Sequence, residues 1–289
     1  MSRAAGLLPP VSRRVGHRVN RALQGLRRGE RELPTYVVAG VKRGGTTSLD
    51  EYLTAHPLVL RGLVEKGCRY FDVNYDRGPA WFRRHLPLSA DVDRLEERLG
   101  TRPVLGESSP YYCFHPEAPA RIAAELPAAR LFLVLRDPVA RAWSHYQYEV
   151  ARGFEDLSPV DALAAEADRL ALPDEQARWH AHRHFSYVAR SRYAEQVARL
   201  HAHFDPSQLL VLASEDVFTR PADTVARALE HLGLPPHHLD RYPAHKPTPR
   251  NQPVPEEFAA RVRAAVADDL ATLPDLLPRT PLPAWSTAP

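Results

Sequence analysis

Short apolar runs alternate along the chain with longer stretches that are apolar on one side only. The apolar runs predict three strands, at residues 35–41, 131–135 and 208–213. Apolar side chains at helical spacing predict helices at residues 46–56, 138–150, 187–204 and 222–232. Because the strands are apolar at consecutive positions, they predict a parallel sheet that is buried on both faces. Ligands of such sheets bind beyond the carboxyl ends of the strands, so chemistry is expected in the segments that follow them.

The basic residues are concentrated in an N-terminal arm. Residues 1–33 hold eight arginines against two glutamates, a net charge of +6, so the rest of the chain sums to −3. This distribution does not predict a face that binds nucleic acid. We expect a solvated, partly helical leader, with weak contact to an anionic membrane surface as the alternative. Residues 34–289 contain no internal repeat and are predicted to form a single α/β domain, in which helices flank a central parallel sheet.

The composition is that of an ordinary soluble globular protein, since 44% of the 289 residues are hydrophobic and 25% are charged. It excludes a disordered tail, a fibre and a small disulfide-stapled domain. Cys68 and Cys113 are the two cysteines, which favours a reducing compartment, and no apolar run approaches the roughly 18 residues of a membrane span. We therefore expect a cytoplasmic location.

Lysine is rare among the basic residues. Of the 38 basic residues three are lysines, Lys42, Lys66 and Lys246, which suggests that arginine cannot replace lysine at these positions.

Residues 40–48 (GVKRGGTTS) carry the most informative pattern in the chain. Gly40 and Gly45 have the spacing of a nucleoside-triphosphate P-loop, but Thr46 stands where that loop needs lysine. What remains is a set of backbone N–H groups and hydroxyls at a helix N-terminus, which suits a phosphate or sulfate without requiring a metal. The alternative is a plain strand-to-helix turn in which a threonine caps the helix.

A second strand-to-helix unit runs from the strand at 131–135 into residues 136–144 (RDPVARAWS). Arg136 is predicted at the carboxyl end of the strand, and Pro138 suits the first helical position because its missing N–H is not needed there. Ser144 is predicted on the same helix face as Arg141. A cation and a hydroxyl that face one point suit a second, separate phosphate.

These two motifs in this order resemble those of sulfotransferases that use 3′-phosphoadenosine 5′-phosphosulfate (PAPS). The resemblance is to the branch that contains the heparan sulfate sulfotransferases and their bacterial relatives, and it runs from about residue 35 to residue 285. It implies PAPS as co-substrate, no metal, and a 3′-phosphate site at Arg136 and Ser144, with Arg192 near the nucleotide. It also implies a 5′-phosphosulfate loop formed by Lys42, Arg43, Gly44, Gly45, Thr46, Thr47 and Ser48.

Lys42 is the expected electrostatic catalyst. In sulfuryl transfer, negative charge accumulates on the bridging oxygen of the leaving nucleotide, and a mobile ammonium can follow that oxygen into the transition state. A planar guanidinium at the neighbouring Arg43 is not equivalent.

The usual general base is missing from its place. Residues 65–72 (EKGCRYFD) resemble the family segment K-E-x-H-[FY]-F-[DS], in which glutamate is the base, but Gly67 stands at the glutamate position. Glu65 and Asp72 are the candidate replacements. Glu107, in a segment that resembles the family's acceptor cleft, has either an acceptor role or a scaffold role. A histidine among residues 180–184 is a further candidate base, whereas their spacing does not favour a metal site.

The sequence therefore predicts a PAPS-dependent sulfotransferase that acts on a hydroxyl or amine of a carbohydrate-containing or small-molecule acceptor. One alternative is a catalytically silent protein that binds PAPS or its product 3′,5′-ADP, since the family's base is absent. The other is a P-loop nucleotide kinase, which Thr46 disfavours. The sequence does not identify the acceptor.

Overall fold

The computed structural model describes residues 27–63, 66–243 and 252–278, together with residues 280, 283 and 285. Strands β1 (Tyr36–Gly40), β2 (Val59–Arg61), β3 (Val104–Ser108), β4 (Arg130–Leu135) and β5 (Leu209–Ala213) form one sheet. Their order across the sheet is β2-β3-β1-β4-β5, and all of these neighbours pair in parallel. The chain passes from one side of β1 to the other between β3 and β4. This switch point is where such sheets bind ligands.

Helices connect the strands and cover both faces of the sheet. Within the described ranges they are α1 (Thr46–Leu53), α2 (Gly78–Arg83), α3 (Ser89–Leu99), α4 (Ala118–Glu125), α5 (Pro138–Ala151), α6 (Pro159–Ala164), α7 (Glu166–Leu170), α8 (Glu175–His184), α9 (Tyr193–His201), α10 (Ser214–Thr219), α11 (Pro221–Leu232) and α12 (Glu256–Leu276). Short 3-10 helices lie at Tyr75–Arg77, Ala189–Ser191 and Pro206–Gln208.

Alternate side chains of β1 enter two cores, one on each face of the sheet. Val37 and Ala39 pack in a core with α4, α9 and α12. Tyr36 and Val38 pack in a second core with α1 and α11. A third cluster, which includes Trp143 of α5, joins that helix to α12 and fixes the orientation of α5 beside the switch point. The predicted single α/β domain with a parallel sheet buried on both faces is confirmed.

The predicted strands are confirmed to within a residue or two at their ends. Pro138 is the first residue of α5, and Gly233 ends α11 with a φ of 70°, a left-handed conformation that glycine adopts without strain. The helix predicted at 187–204 is instead a 3-10 turn followed by α9. It is divided because Arg192 is extended, with φ −79° and ψ 90°.

The sequence pattern did not predict β2, β3 or α12. β2 has three residues, too few to show a period, and β3 ends in Gly106, Glu107 and Ser108, which are not apolar although Glu107 and Ser108 are buried. Gly106 is required there because a Cβ at this position would lie 2.2 Å from the ring of Tyr36.

The described end of the N-terminal arm lies against the domain. Arg31 forms an isolated antiparallel bridge with Leu88, and Arg27 forms an ion pair with Asp91 of α3. The boundary predicted at residue 34 stays a prediction, since the remainder of the arm lies outside the described residues, as does the segment around Lys246. In the described part of the chain, no helix is both long and apolar enough to cross a membrane. Cys68 and Cys113 are both buried free thiols.

Candidate active site

A cleft of about 670 Å³ opens at the carboxyl ends of the central strands. The loop after β1 and the first residues of α1 form its floor, and Arg136 after β4 forms one wall. Ser214 and Phe218 of α10 enclose one end, while Ser109, Tyr111 and residues of α8 enclose the other. A larger depression, of about 970 Å³, lies beside residues 27–35 and away from these strand ends.

The loop after β1 depends on two glycines. Gly45 immediately precedes α1 with a φ of 99°, a left-handed conformation that other residues adopt only with strain. A Cβ at Gly44 would lie 2.4 Å from the carbonyl oxygen of Val134, so the loop passes directly against β4. The helix thus begins without a side-chain cap, and the alternative of a threonine cap is wrong.

The hydroxyls of Thr46 and Thr47 are instead bound by a lysine from another segment. Lys66 Nζ donates to Thr46 Oγ1 at 3.0 Å and to Thr47 Oγ1 at 3.1 Å. Thr46, which stands in the lysine position of a P-loop, is therefore supplied with an ammonium from the segment before Gly67. Ser48, predicted with this group, is fully buried in α1 and does not line the cleft.

Lys42 lines the cleft, but its ammonium lies against α5. Its Nζ is 2.6 Å from Glu149 Oε1 and donates a second hydrogen bond, at 3.0 Å, to the carbonyl oxygen of Arg183. Burial and the nearby Arg190 guanidinium lower the pKa of Lys42 well below its usual value, while Glu149 opposes that shift. Glu149 lies 107 positions from Lys42 and is not predictable as its partner from the sequence pattern.

The predicted second phosphate site assembles with a different partner. Ser144 accepts a hydrogen bond from Arg43 Nε at 2.9 Å, and Arg136 Nη1 donates to the carbonyl oxygen of Arg43 at 3.1 Å. Arg141, predicted on the same helix face as Ser144, does not line the cleft. Arg141 is fully buried and donates from Nε to Ser191 Oγ at 2.8 Å, because its helix face packs into the protein.

Arg192, predicted near the nucleotide, is exposed and does not line the cleft. Arg190, two positions earlier, does so instead. Its guanidinium lies 4.5 Å from the centroid of the Tyr111 ring and donates from Nε to Ser186 Oγ at 2.7 Å. Burial lowers the pKa of Arg190 to about 10.

The candidate bases occupy different places. Glu65 lies outside the described residues. The carboxylate of Asp72 is buried behind the cleft wall, where it accepts a hydrogen bond of 2.6 Å from Ser109 Oγ, so Asp72 orients a cleft residue rather than facing the cleft itself.

Glu107 has a scaffold role in this structure. Its buried carboxylate accepts hydrogen bonds from Tyr112 Oη at 2.8 Å and from the backbone N–H groups of Cys68 and Arg69 at 3.4 and 3.3 Å. Burial raises the pKa of Glu107 to about 7, although these hydrogen bonds oppose the shift. A Cβ at Gly67 would lie 2.7 Å from Glu107 Oε1 and 2.4 Å from the carbonyl oxygen of Ser108. Glu107 thus packs where a side chain at position 67 would begin.

The histidines of α8 have separate partners. His182 Nδ1 lies 2.6 Å from the hydroxyl of Tyr111, and His184 Nδ1 lies 2.9 Å from Glu149 Oε2. Burial lowers the pKa of His182 to about 3, which makes it a weak base. His180 is exposed. Within the described ranges no three residues of metal-binding type come together, and the expectation of no metal stays a prediction.

The cleft is strongly positive. One carboxylate residue, Glu215, lines it among the described residues. The basic residues that line it are Lys42, Arg43, Lys66, Arg69, Arg136, Arg152, Arg183 and Arg190. This excess of cations suits a ligand that carries several negative charges.

Comparisons with known proteins agree with this arrangement. The model of a family described as "Sulfotransferase family" matches residues 92–238. Human heparan sulfate glucosamine 3-O-sulfotransferase 3B1 is 32% identical over 206 residues, which cover 71% of this chain and 47% of the relative. Human bifunctional heparan sulfate N-deacetylase/N-sulfotransferase 3 is 30% identical over 211 residues, which cover 71% of this chain and 23% of the relative. The chain therefore spans about half or less of these curated relatives.

Among solved structures, a sulfotransferase from Alicyclobacillus acidocaldarius superposes with a TM-score of 0.65 at 27% sequence identity. The match covers 88% of this chain and 99% of that one.

Proposed function

Because the chain belongs to the sulfotransferase family, we propose that it transfers a sulfuryl group from PAPS to a hydroxyl or amine of a carbohydrate-containing or small-molecule acceptor. The observation that carries the proposal is the meeting, in one cleft, of the loop after β1 with Arg136 after β4. The two motifs are separated by about 90 positions in the sequence, yet Arg136 Nη1 donates directly to the loop, at the carbonyl oxygen of Arg43.

The residues in the cleft fit the proposed co-substrate. PAPS carries a phosphosulfate at one end of its ribose and a phosphate at the 3′ position. Lys42, Lys66 and the hydroxyls of Thr46 and Thr47 form one cluster of suitable groups. Arg43 and Arg136 form a second cluster, where the hydrogen bond to Ser144 orients the Arg43 guanidinium. The cleft volume of about 670 Å³ lies within the ordinary range for small-molecule sites.

Bound PAPS would supply the sulfuryl group. Within this arrangement the ammonium of Lys42 offsets negative charge at the leaving oxygen, and Lys66 adds a second positive charge beside the loop. Such electrostatic stabilisation is strongest in a partly buried site, because screening by water is weak there. Lys42 and Lys66 are point charges that move with flexible stems, which a guanidinium does not reproduce.

The acceptor is proposed to bind beside α8. Arg69, Tyr111 and Arg183 line that end of the cleft, and like charge from Arg69 contributes, after burial, to the lowered pKa of Arg183. Two cations that repel each other favour an acceptor with a carboxylate, sulfate or phosphate near the accepting group. The relatives named for heparan sulfate support a carbohydrate acceptor.

Asp72 and Glu65 are the two carboxylates that we consider for removal of the proton from the acceptor group. Asp72 reaches the cleft through Ser109, so we propose that it polarises that hydroxyl. Glu65, outside the described residues, stays a candidate for direct proton removal.

The cytoplasmic location and the weak membrane contact of the arm stay proposals as well. The buried free thiols of Cys68 and Cys113 are consistent with a reducing compartment.

Binding of 3′,5′-ADP tests the proposal most directly. Calorimetry and thermal unfolding should show tight binding and stabilisation by 3′,5′-ADP, with much weaker effects from 5′-ADP, which lacks the 3′-phosphate. Arg136→Ala should reduce this preference. Equal binding of the two nucleotides, or no binding, would contradict the proposal.

Transfer from PAPS labelled in its sulfuryl group to extracts of the host's metabolites and glycans separates the remaining alternatives. A labelled product identifies the acceptor. Nucleotide binding without any product would instead favour the silent binding protein, and Mg²⁺-dependent turnover of ATP would favour a kinase.

A further inference from the structure

Lys42 and Glu149 form an ion pair that the proposed function does not by itself require. The two charged atoms are 2.6 Å apart, and the side chains of Lys42 and Glu149 are 14% and 0% exposed. A buried ion pair is costly to form from solvated groups, so its persistence at the cleft wall calls for a physical reason.

Glu149 is held in place from several directions. His184 Nδ1 lies 2.9 Å from Oε2, His145 Nε2 lies 3.4 Å from Oε1, and Arg152 Nη1 lies 3.5 Å from Oε2. Burial opposes ionisation of Glu149, but the two imidazoles and Lys42 outweigh it and hold its pKa well below the usual range. Glu149 is therefore a carboxylate with a fixed position.

Other cations crowd Lys42 from the protein side. Arg190, in the 3-10 turn before α9, and Arg141 of α5 are both buried, and each lowers the pKa of Lys42 through its charge. The carbonyl oxygen of Arg183 accepts from Lys42 Nζ but contributes no full charge. In the described part of the chain, the carboxylate that contacts this ammonium belongs to Glu149.

We propose that Glu149 is a positioning residue, which keeps the amine of Lys42 in its ammonium form and fixes Nζ at the wall of the cleft. The importance of this role for catalysis rests on the proposed function, whereas the role itself is a property of the protein without any ligand. In Glu149→Gln a buried amine would lie beside two guanidinium groups with no carboxylate to balance them. Loss of its proton is then favoured, and a neutral amine offers no charge to a leaving oxygen.

The protonation state of the Lys42 amine is directly measurable because the chain has few lysines. Only Lys42, Lys66 and Lys246 are present, so protein grown with lysine carbon-13 labelled at Cε gives three NMR signals. Lys42→Arg assigns the signal of Lys42 by its disappearance. Titration from about pH 6 to about pH 11 follows the chemical shift of each amine through loss of its proton. Burial lowers the pKa of both neighbouring imidazoles, His145 and His184, below the usual value, which separates their titration from that of a lysine amine.

In the wild-type protein Lys42 should be an ammonium at neutral pH. Glu149→Gln should lower its apparent pKa by about one unit or more, a change of at least about tenfold in the proton equilibrium. The signals of Lys66 and Lys246 should move little. A neutral Lys42 in the wild-type protein at neutral pH would overturn the proposal without any variant, and so would equal titration of Lys42 in the wild type and in Glu149→Gln.

Glu155→Gln is the matched control. Glu155 is also buried, and it accepts hydrogen bonds from Arg169 at 2.7 Å and from Tyr187 Oη at 2.8 Å, but it does not line the cleft. The Glu155→Gln substitution should lower the stability of the protein and leave the titration of Lys42 unchanged. Glu149→Asp, which retains the carboxylate, should keep Lys42 protonated. Because no PAPS is present, these outcomes are independent of whether 3′,5′-ADP binds, and failure of one proposal is distinguishable from failure of the other.

Discussion

Lys42 and Lys66 place two ammonium groups at one loop by different routes. Lys42 belongs to the loop itself but points to Glu149, while Lys66 comes from the segment before Gly67 and donates to Thr46 and Thr47. Arginine is abundant elsewhere in this chain, yet a guanidinium is planar and binds through a fixed set of donors. The geometry therefore gives a reason for lysine at both positions.

Lys42→Ala and Lys42→Arg should each reduce transfer far more than nucleotide binding. Loss of a preorganised charge at the leaving oxygen is expected to slow the chemical step by about 10² to 10³. Single-turnover transfer of labelled sulfuryl groups measures this step, and calorimetry with 3′,5′-ADP measures binding. Full activity in Lys42→Arg would show that the mobile ammonium has no special role.

Glu107 should make stability depend on pH. Because burial raises its folded pKa to about 7, above the usual value of 4.5, the folded protein retains a proton that the unfolded chain releases. Stability from this group is present below about pH 4.5 and is lost as the pH rises to about 7, by at most about 3 kcal/mol. Calorimetric melting across this range should show a decline that Glu107→Gln lacks. A difference in melting temperature between the wild type and Glu107→Gln that stays constant with pH would contradict the raised pKa of Glu107. Glu97→Gln, at an exposed site, is the control.

At the scale of elements, the sequence predicts the local units of the site well. The β1 loop and the start of α5 were predictable because an apolar strand, glycines or proline, and an amphipathic helix follow one another within about 20 residues. The connections between units were not predictable. Lys42 with Glu149 and Arg43 with Ser144 are pairs separated by 107 and 101 positions, and periodicity carries no information on such contacts.

β3 illustrates a second limit of the sequence pattern. Its buried residues Glu107 and Ser108 are polar. Glu107 is tolerated because its carboxylate accepts hydrogen bonds from the backbone N–H groups of Cys68 and Arg69 and from Tyr112 Oη. A strand that serves a site in this way loses the apolar run by which strands are recognised. The carboxylate of Glu107 also takes the space next to Gly67 in which a side chain at the family's base position would begin.

Substitution of Gly67 should therefore disrupt the β3 edge of the cleft rather than restore a base. Gly67→Ala places a Cβ 2.4 Å from the carbonyl oxygen of Ser108, which forces backbone movement and should cost about 1–3 kcal/mol. Gly67→Glu should be at least as destabilising and should not raise activity. Denaturant unfolding measures the cost. Gly62→Ala, where the closest contact is 3.3 Å, is the control with a smaller expected loss. An active, stable Gly67→Glu would contradict this account of the loop.

For the molecule as a whole, the placement of charge matters more than its sum. The net charge is +3, yet eight basic residues and one acidic residue line the cleft in the described part of the chain. The low total is consistent with a strongly positive site because acidic residues elsewhere balance the charge. A field concentrated in a cleft attracts anionic ligands and weakens with ionic strength.

The last prediction concerns how this field selects the acceptor. If Arg43, Arg136 and the two lysines serve the co-substrate, then Arg69, Arg183 and Arg190 are left at the end of the cleft that includes Tyr111. Of these, Arg190 is fully committed to the protein interior by burial, so Arg69 and Arg183 are the cations that an acceptor meets. Arg183→Gln should reduce transfer to acceptors that carry a carboxylate or sulfate by about tenfold, since loss of one partly buried charge contact costs roughly 1.4 kcal/mol. Transfer to neutral acceptors and affinity for 3′,5′-ADP should change much less.

A panel of matched neutral and anionic oligosaccharides, assayed with labelled PAPS, measures this selectivity as a ratio of kcat/KM values. Arg178→Gln removes a cation from the same helix at a partly exposed position, where Arg178 donates to the carbonyl oxygen of Leu172 and does not line the cleft. It should leave the ratio unchanged. If Arg183→Gln reduced transfer to neutral and anionic acceptors equally, Arg183 would support the shape of the cleft without selecting for acceptor charge. A loss of 3′,5′-ADP binding would instead place Arg183 in the nucleotide site.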